Sequence, residues 1–276
     1  MLFICVRFVI LLTITNKFDC NLIKTIAMKN IFLMKSIVLT ALTALVMNCK
    51  SFSQNYPELD RIATSAGNLE LHFIGHGSLM FRINGYTIYI DPVKSSGDYR
   101  FLPKADLILV THDHGDHLDI PLINELKKEE TVVLANEKST EQLAWALPMN
   151  AGDRQEMNNI IIEAVPAYNI VNVQASGAPF HPKGVGVGYL LTIGGLRFYV
   201  AGDTENIPEM KELKNIEAAF LPMNLPYTMT PAMVADAAKA FKPRILYPYH
   251  YGETDVNEIV NLMKDSGVEV RIRSLK

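Results

Sequence analysis

Two stretches of this chain are built alike, and together they leave few folds open. Residues 78–83 and 86–90 are apolar-rich runs separated by Asn84-Gly85, and residues 188–193 and 196–200 are similar runs separated by Gly194-Gly195. Both dipeptides accept the positive φ angles of a two-residue type I′ turn, so each stretch predicts a β-hairpin. Each hairpin runs into an aspartate, Asp91 or Asp203, and the chain then enters an apolar strand, 105–110 or 216–221. His112 stands 21 positions after Asp91, and Asn224 stands 21 positions after Asp203. That matched spacing predicts two halves on one plan. Helical patterns fill the intervals at 121–128, 139–147, 231–241 (capped by Thr230) and 256–266 (capped by Asp255 or Thr254), and a last strand follows at 268–272. Strands alternating with helices imply one α/β layered domain over 69–276, preceded by a polar linker at 54–68.

The first fifty residues read differently. Apolar runs at 8–14 and 37–47 are separated by Lys17, Lys24, Lys29 and Lys35, and each is shorter than the roughly 20 residues a membrane-spanning helix needs. The second run follows Met28, Lys29, Met34 and Lys35 and leads into the small-x-small sequence Ser51-Phe52-Ser53, the pattern of a secretory signal. Residues 1–53 are therefore expected to be an upstream extension plus a signal peptide, with Met28 or Met34 as the first residue of the precursor. An uncleaved anchor is one alternative. Lipid attachment at Cys49 is another, for which the preceding Asn48 is a poor fit. On this reading the domain is exported, periplasmic or secreted, without stable membrane insertion after cleavage. Cys5, Cys20 and Cys49 all precede Ser53, so the exported part has neither disulfides nor thiolate chemistry. It keeps 20 basic against 28 acidic residues, a net −8, which argues against a nucleic-acid partner and for a small-molecule substrate.

The sharpest chemistry lies in Thr111-His112-Asp113-His114-Gly115-Asp116-His117, directly after an apolar strand. Imidazole nitrogens and carboxylate oxygens are donors that zinc and similar divalent ions accept, and no cysteine competes with them. The segment leaves the C-terminal end of its strand, where α/β sheets place their sites. Asp203 follows Gly202 at another strand end, and His250 closes the strand 245–249, so both are candidates to complete a ligand set.

The ordered set formed by Asp91, H-x-H-x-D-H at 112–117, G-D-T at 202–204 and His250 resembles the metallo-β-lactamase superfamily over nearly all of 69–276. Gly75-His76-Gly77-Ser78, Tyr227-Thr228-Met229 and Tyr249-His250-Tyr251-Gly252 resemble, more narrowly, the branch that includes the L-ascorbate-6-phosphate lactonases. The resemblance implies a four-layer αββα sandwich with metals at one rim. It implies that His112 and His114 bind a first ion, that Asp116, His117 and His250 bind a second, and that Asp203 bridges them. Two Zn²⁺ ions are expected, with Mn²⁺ or Fe as alternatives. Asp91 would support the histidines from behind, with His76 near the rim.

The family's further histidine, about thirty residues before G-D-T, is missing, because Tyr168-Asn169 stands there. His181 is either its replacement or a loop contact. The chemistry implied is attack by a metal-activated hydroxide on a small ester, lactone or phosphodiester, with Asp116 and Asp203 handling the proton. Asn224, Tyr227 and Lys183 are candidate substrate contacts. A β-lactam hydrolase and a non-catalytic metal- or ligand-binding module are the competing readings.

Overall fold

The computed structural model describes residues 56–276; the extension and signal expected over 1–53 lie outside the described residues. Two seven-stranded sheets carry the fold. The first takes its strands in chain order: β1 Glu58–Thr64, β2 Gly67–Gly75, β3 Ser78–Ile83, β4 Tyr86–Ile90, β5 Leu107–Val110, β6 Val132–Ala135 and β7 Leu147–Pro148. The second does the same: β8 Arg154–Met157, β9 Ile160–Pro166, β10 Val187–Ile193, β11 Leu196–Val200, β12 Ile216–Pro222, β13 Ile245–Tyr249 and β14 Glu269–Val270. In each sheet the first four strands pair antiparallel and the last three are added parallel.

Both predicted hairpins form. Ile83 pairs with Tyr86 across Asn84-Gly85, and Ile193 pairs with Leu196 across Gly194-Gly195. All four turn residues have positive φ, as a type I′ turn requires.

Because strand side chains alternate, one set of each sheet faces the other sheet. Leu69, Leu71, Phe81, Ile88 and Leu109 meet Ile162, Leu191, Phe198, Phe220 and Tyr247 in the central core. The outer face of the first sheet packs on α1 Ile120–Leu126 through Leu122, Ile123 and Leu126. The outer face of the second is covered through Met210, Val234, Ala238, Phe241 and Ile259, from α3 Pro208–Lys211, α4 Pro231–Phe241 and α5 Val256–Leu262. A short α2, Glu137–Thr140, follows β6. This is the expected αββα sandwich, and among the described residues no helix is long and apolar enough to cross a membrane.

Thr230 and Asp255 cap α4 and α5 as expected, accepting from Met233 N–H and Asn257 N–H. Three local expectations are corrected. Residues 58–64 of the supposed linker form β1, an edge strand that buries Ile62 and pairs along its whole length with β2. In place of the helix expected at 139–147 there is a single turn at Glu137–Thr140, and Leu147–Pro148 pairs with β6 as a short strand. The last strand, expected over 268–272, is confined to Glu269–Val270.

Candidate metal centre

Asp91, fully buried after β4, organises the first half of the site. Its Oδ1 accepts from Thr111 N–H (2.8 Å), and its Oδ2 accepts from the Thr111 hydroxyl (2.6 Å) and from His117 Nδ1–H (2.8 Å). A carboxylate only accepts, so His117 carries a hydrogen on Nδ1, and in its neutral form Nε2 is the bare nitrogen. With its hydrogen given to Asp91, the Thr111 hydroxyl oxygen accepts from His112 Nδ1–H at 3.0 Å, and His112 Nε2 is bared too. One carboxylate thereby fixes two histidines as ligands-in-waiting.

The second half brings Asp203 to them. Gly202 turns the chain with φ of +65°, and a Cβ there would stand 2.7 Å from Val187 O and 3.2 Å from Thr111 Cβ, so only glycine lets the strand end approach the 111–117 segment this closely. Gly77 has the same role against His117, whose Cε1 would lie 2.9 Å from an added Cβ. Asp203 Oδ1 lies 3.4 Å from His117 Nε2; its Oδ2 lies 3.3 Å from His181 Nε2, 3.5 Å from His250 Nε2 and 4.0 Å from His112 Nε2. Asp116 Oδ2 is 3.3 Å from His76 Nε2 and 3.4 Å from His250 Nε2. The His76 and His250 rings lie against each other with centroids 3.8 Å apart and planes tilted by 41°, and His250 N–H donates to His76 O.

Of the seven histidines in the chain, only His72 is away from this cluster. The other six and the two aspartates fall into overlapping groups: His112, His114 and His181; His76, Asp116, His117 and His250; and His112, His117 and Asp203. Thus every residue expected as a ligand is gathered here, including His181, and His76 stands among the possible ligands rather than behind them.

The donor set fits a divalent cation on a direct test. Six buried atoms of the cluster have no hydrogen-bond partner: His112 Nε2, His117 Nε2, His181 Nε2, His250 Nδ1 and Nε2, and Asp203 Oδ1. An unpaired buried polar atom costs about 1–3 kcal/mol, so six at one spot are not explained by packing, whereas imidazole nitrogen and carboxylate oxygen are what zinc, manganese and iron take.

The electrostatics agree. Burial, then the neighbouring His117, hold His112 well below the ordinary histidine range, leaving it neutral. Burial would also lower His117, but the carboxylates of Asp203 and Asp91 outweigh it and lift His117 to about 9, so without a cation a proton sits on Nε2 in the place a bound ion would take. Burial opposes charge on Asp116, yet His250, His76 and His117 hold it far below the usual carboxylate range. The field around Asp203 therefore favours positive charge.

A cleft of roughly 730 Å³ opens beside the second group, lined by His76, Asp116, Ser95, Ser96, Tyr251 and Lys276 among others. Ser95, Ser96 and Lys276 were not singled out from sequence, whereas Tyr251 belongs to the Tyr249-His250-Tyr251-Gly252 motif. Asn224 lies against the position a Cβ of Gly252 would occupy, and exposed Tyr227 packs edge-on against Phe180 at 5.1 Å. These two flank the site, whereas the Lys183 ammonium pairs with Glu209 and the Tyr168 hydroxyl. Also unforeseen was Glu205, a buried carboxylate that gathers the loop after Tyr168. Nothing in its local sequence marks it.

Comparison with known proteins identifies the family and the fold. The pattern of the family described as beta-lactamase superfamily domain matches residues 70–250. A UPF0173 metal-dependent hydrolase of Lysinibacillus sphaericus is 30% identical over 218 residues, covering 73% of this chain and 96% of that protein. A solved structure from Parabacteroides distasonis, assigned as a metal-dependent hydrolase, is 48% identical with a TM-score of 0.77, covering 80% of this chain and 100% of that one. Igni18, a metallo hydrolase of Ignicoccus hospitalis, shares the fold at 23% identity and a TM-score of 0.62, covering 75% of this chain and 95% of that one. These comparisons show the superfamily and do not extend to the narrower resemblance to ascorbate-6-phosphate lactonases drawn from the flanking motifs.

Proposed function

The chain belongs to the metallo-β-lactamase superfamily, as a metal-dependent hydrolase, and on that premise we propose that it cleaves a small ester, lactone or phosphodiester with two divalent ions, zinc foremost. The observation that carries this reading is the set of unpaired imidazole nitrogens converging on Asp203. His112, His114 and His181 would hold one ion and Asp116, His117 and His250, with His76 beside them, the other, while Asp203, close to His112, His117, His181 and His250, would serve both. When bound, such ions polarise the oxygen that gains charge and bring the pKa of water down to near 7.

The chain's own groups do the rest. Asp91 and Thr111 keep the His117 and His112 lone pairs aimed inward. Asp116, its side chain half exposed at the cleft, takes the proton from the attacking water and passes it to solvent, while buried Asp203 keeps its charge for the ions. Ser95 and Ser96 offer hydroxyls to a carbonyl or phosphoryl oxygen in the cleft, whereas the Tyr251 hydroxyl donates to Arg273 O and the Lys276 ammonium pairs with Glu253. The volume of the cleft suits a small molecule. Asn224, beside Gly252, and exposed Tyr227, edge-on to Phe180, are further candidates for substrate contact. The N-terminal segment supports action outside the cytoplasm.

The test is metal analysis of the purified chain together with turnover of lactone, ester, phosphodiester and β-lactam substrates. Two equivalents of divalent ion are expected, and His114→Ala should abolish turnover while leaving circular dichroism unchanged. Full turnover by His114→Ala would overturn the assignment.

A further inference from the structure

We propose that Glu205, acting through Asn169, fixes the tautomer of His181 and so makes its Nε2 the atom presented to the metal centre. This rests on the reading of His181 as a ligand, and it gives Glu205 and Asn169 the role of positioning residues. Glu205 is buried, and its carboxylate receives four N–H groups: Ile170 N (2.8 Å) and Val171 N (2.9 Å) on Oε2, and Asn172 N (2.6 Å) and Asn169 Nδ2 (3.1 Å) on Oε1. Three consecutive backbone donors leaving a strand end would otherwise be unpaired. Packing does not hold them in place, because Ile170 and Val171 are 52% and 67% exposed. The carboxylate is what shapes this loop.

Each further link has one solution. A carboxylate only accepts, so the Asn169 group facing Glu205 is its amino group, which also donates to Tyr227 O at 2.9 Å. The opposite end, Oδ1, accepts from the His181 backbone N–H at 2.8 Å, a group that only donates. The amide orientation, usually a matter of assignment, is thus fixed by three independent partners. That same Oδ1 lies 2.7 Å from His181 Nδ1, which must therefore carry the imidazole hydrogen. Nε2 is left with a lone pair facing Asp203 Oδ2 at 3.3 Å, and two acceptors facing each other at that distance call for a cation between them. Asn169 occupies the strand-end position from which a histidine was expected, and it delivers one from twelve residues downstream instead.

The experiment uses the full chain with ¹⁵N-labelled histidine, freed of metal, and then titrated with Zn²⁺ against a chelator. His181 should resonate as the neutral tautomer protonated on Nδ1. Asn169→Ala leaves the three backbone bonds to Glu205 in place, so the loop stays anchored while the tautomer is released. Glu205→Gln turns an amino group against donors. Each variant should lose the Nδ1–H preference and weaken one Zn²⁺ equivalent about 10–100-fold, with the other equivalent unchanged. The double variant Asn169→Asp/Glu205→Gln restores a donor–acceptor pair, since the amide introduced at 205 can donate to the carboxylate introduced at 169, and it should recover part of that affinity.

A wild-type His181 protonated on Nε2, or unaltered tautomer and Zn²⁺ affinity in Asn169→Ala, would overturn the inference. Should His181→Ala keep both equivalents at wild-type affinity, the ligand reading itself fails. If His181→Ala loses one equivalent while Asn169→Ala and Glu205→Gln lose none, only the positioning role falls.

Discussion

Asp91 and Asp203 occupy equivalent places in the two halves of the molecule, each between the fourth and fifth strands of its sheet, yet they have been put to opposite uses. Asp91 is saturated: Thr111 and His117 supply a donor to every part of its carboxylate. Asp203 is equally buried but has an unpaired oxygen and four imidazoles within 4.0 Å. The backbone supplies a reason. In the first half the left-handed residue after the hairpin is the aspartate itself, with φ of 43°; in the second it is the preceding Gly202, with φ of 65°. Moving the kink by one residue changes which way the carboxylate leaves the sheet edge. A satisfied buried carboxylate acts as scaffold, and an unsatisfied one acts as ligand.

Substitution at the two positions should separate these roles. Asp203→Asn removes a ligand shared by both groups, so turnover should fall on the order of a thousandfold or more, equivalent to about 4 kcal/mol in the barrier. Its metal-free form should melt close to wild type, because no saturated network is broken. Asp91→Asn should do the reverse. Its amide must turn an N–H₂ group toward Thr111 or His117, both donors, which costs about 1–3 kcal/mol of stability and weakens metal binding about 10–100-fold. Thermal melts of the metal-free variants, set beside their metal content, check both. A destabilised Asp203→Asn and an unperturbed Asp91→Asn would invert the comparison.

The parts of this design carried by local chemistry were legible in sequence. The two hairpins follow from Asn84-Gly85 and Gly194-Gly195, the caps from Thr230 and Asp255, and the ligand cluster from the density of imidazole and carboxylate after β5. The internal repeat signalled by equal spacing is matched by two sheets with the same strand order. What sequence left open depends on contacts far apart in the chain. His181 is at the site because Glu205 gathers residues 170–172 and Asn169 orients the ring, across separations of about 35 and 12 residues. The strand β1 escaped notice since an edge strand that buries only Ile62 reads as polar linker. The helix at 139–147 was overstated because its apolar residues fit helical spacing, while the parallel pairing of Leu147–Pro148 with β6 is a tertiary event.

The smallest effect is expected where the halves are tied together away from the metal centre. Asp60 on β1 accepts from Arg271, Arg273 and the Tyr247 hydroxyl, which joins the outermost strand of the first half to the last segment of the second. Burial opposes its charge, but these donors prevail and hold the carboxyl below its ordinary value. A carboxyl whose pKa is lower folded than unfolded stabilises the fold above the unfolded value, near 3.9, and loses that contribution as pH falls through the folded value. Asp60→Asn should therefore lower the melting temperature at pH 7 by a few degrees, consistent with about 1.5–3 kcal/mol for hydrogen bonds to a charged group. The gap to wild type should narrow steadily below pH 4, with metal content and turnover unchanged throughout. A gap that persists undiminished at pH 2 would mean that Asp60 acts through packing rather than charge. Lost metal would mean that this seam and the centre are coupled, and that the two halves do not divide scaffold from ligand as Asp91 and Asp203 indicate.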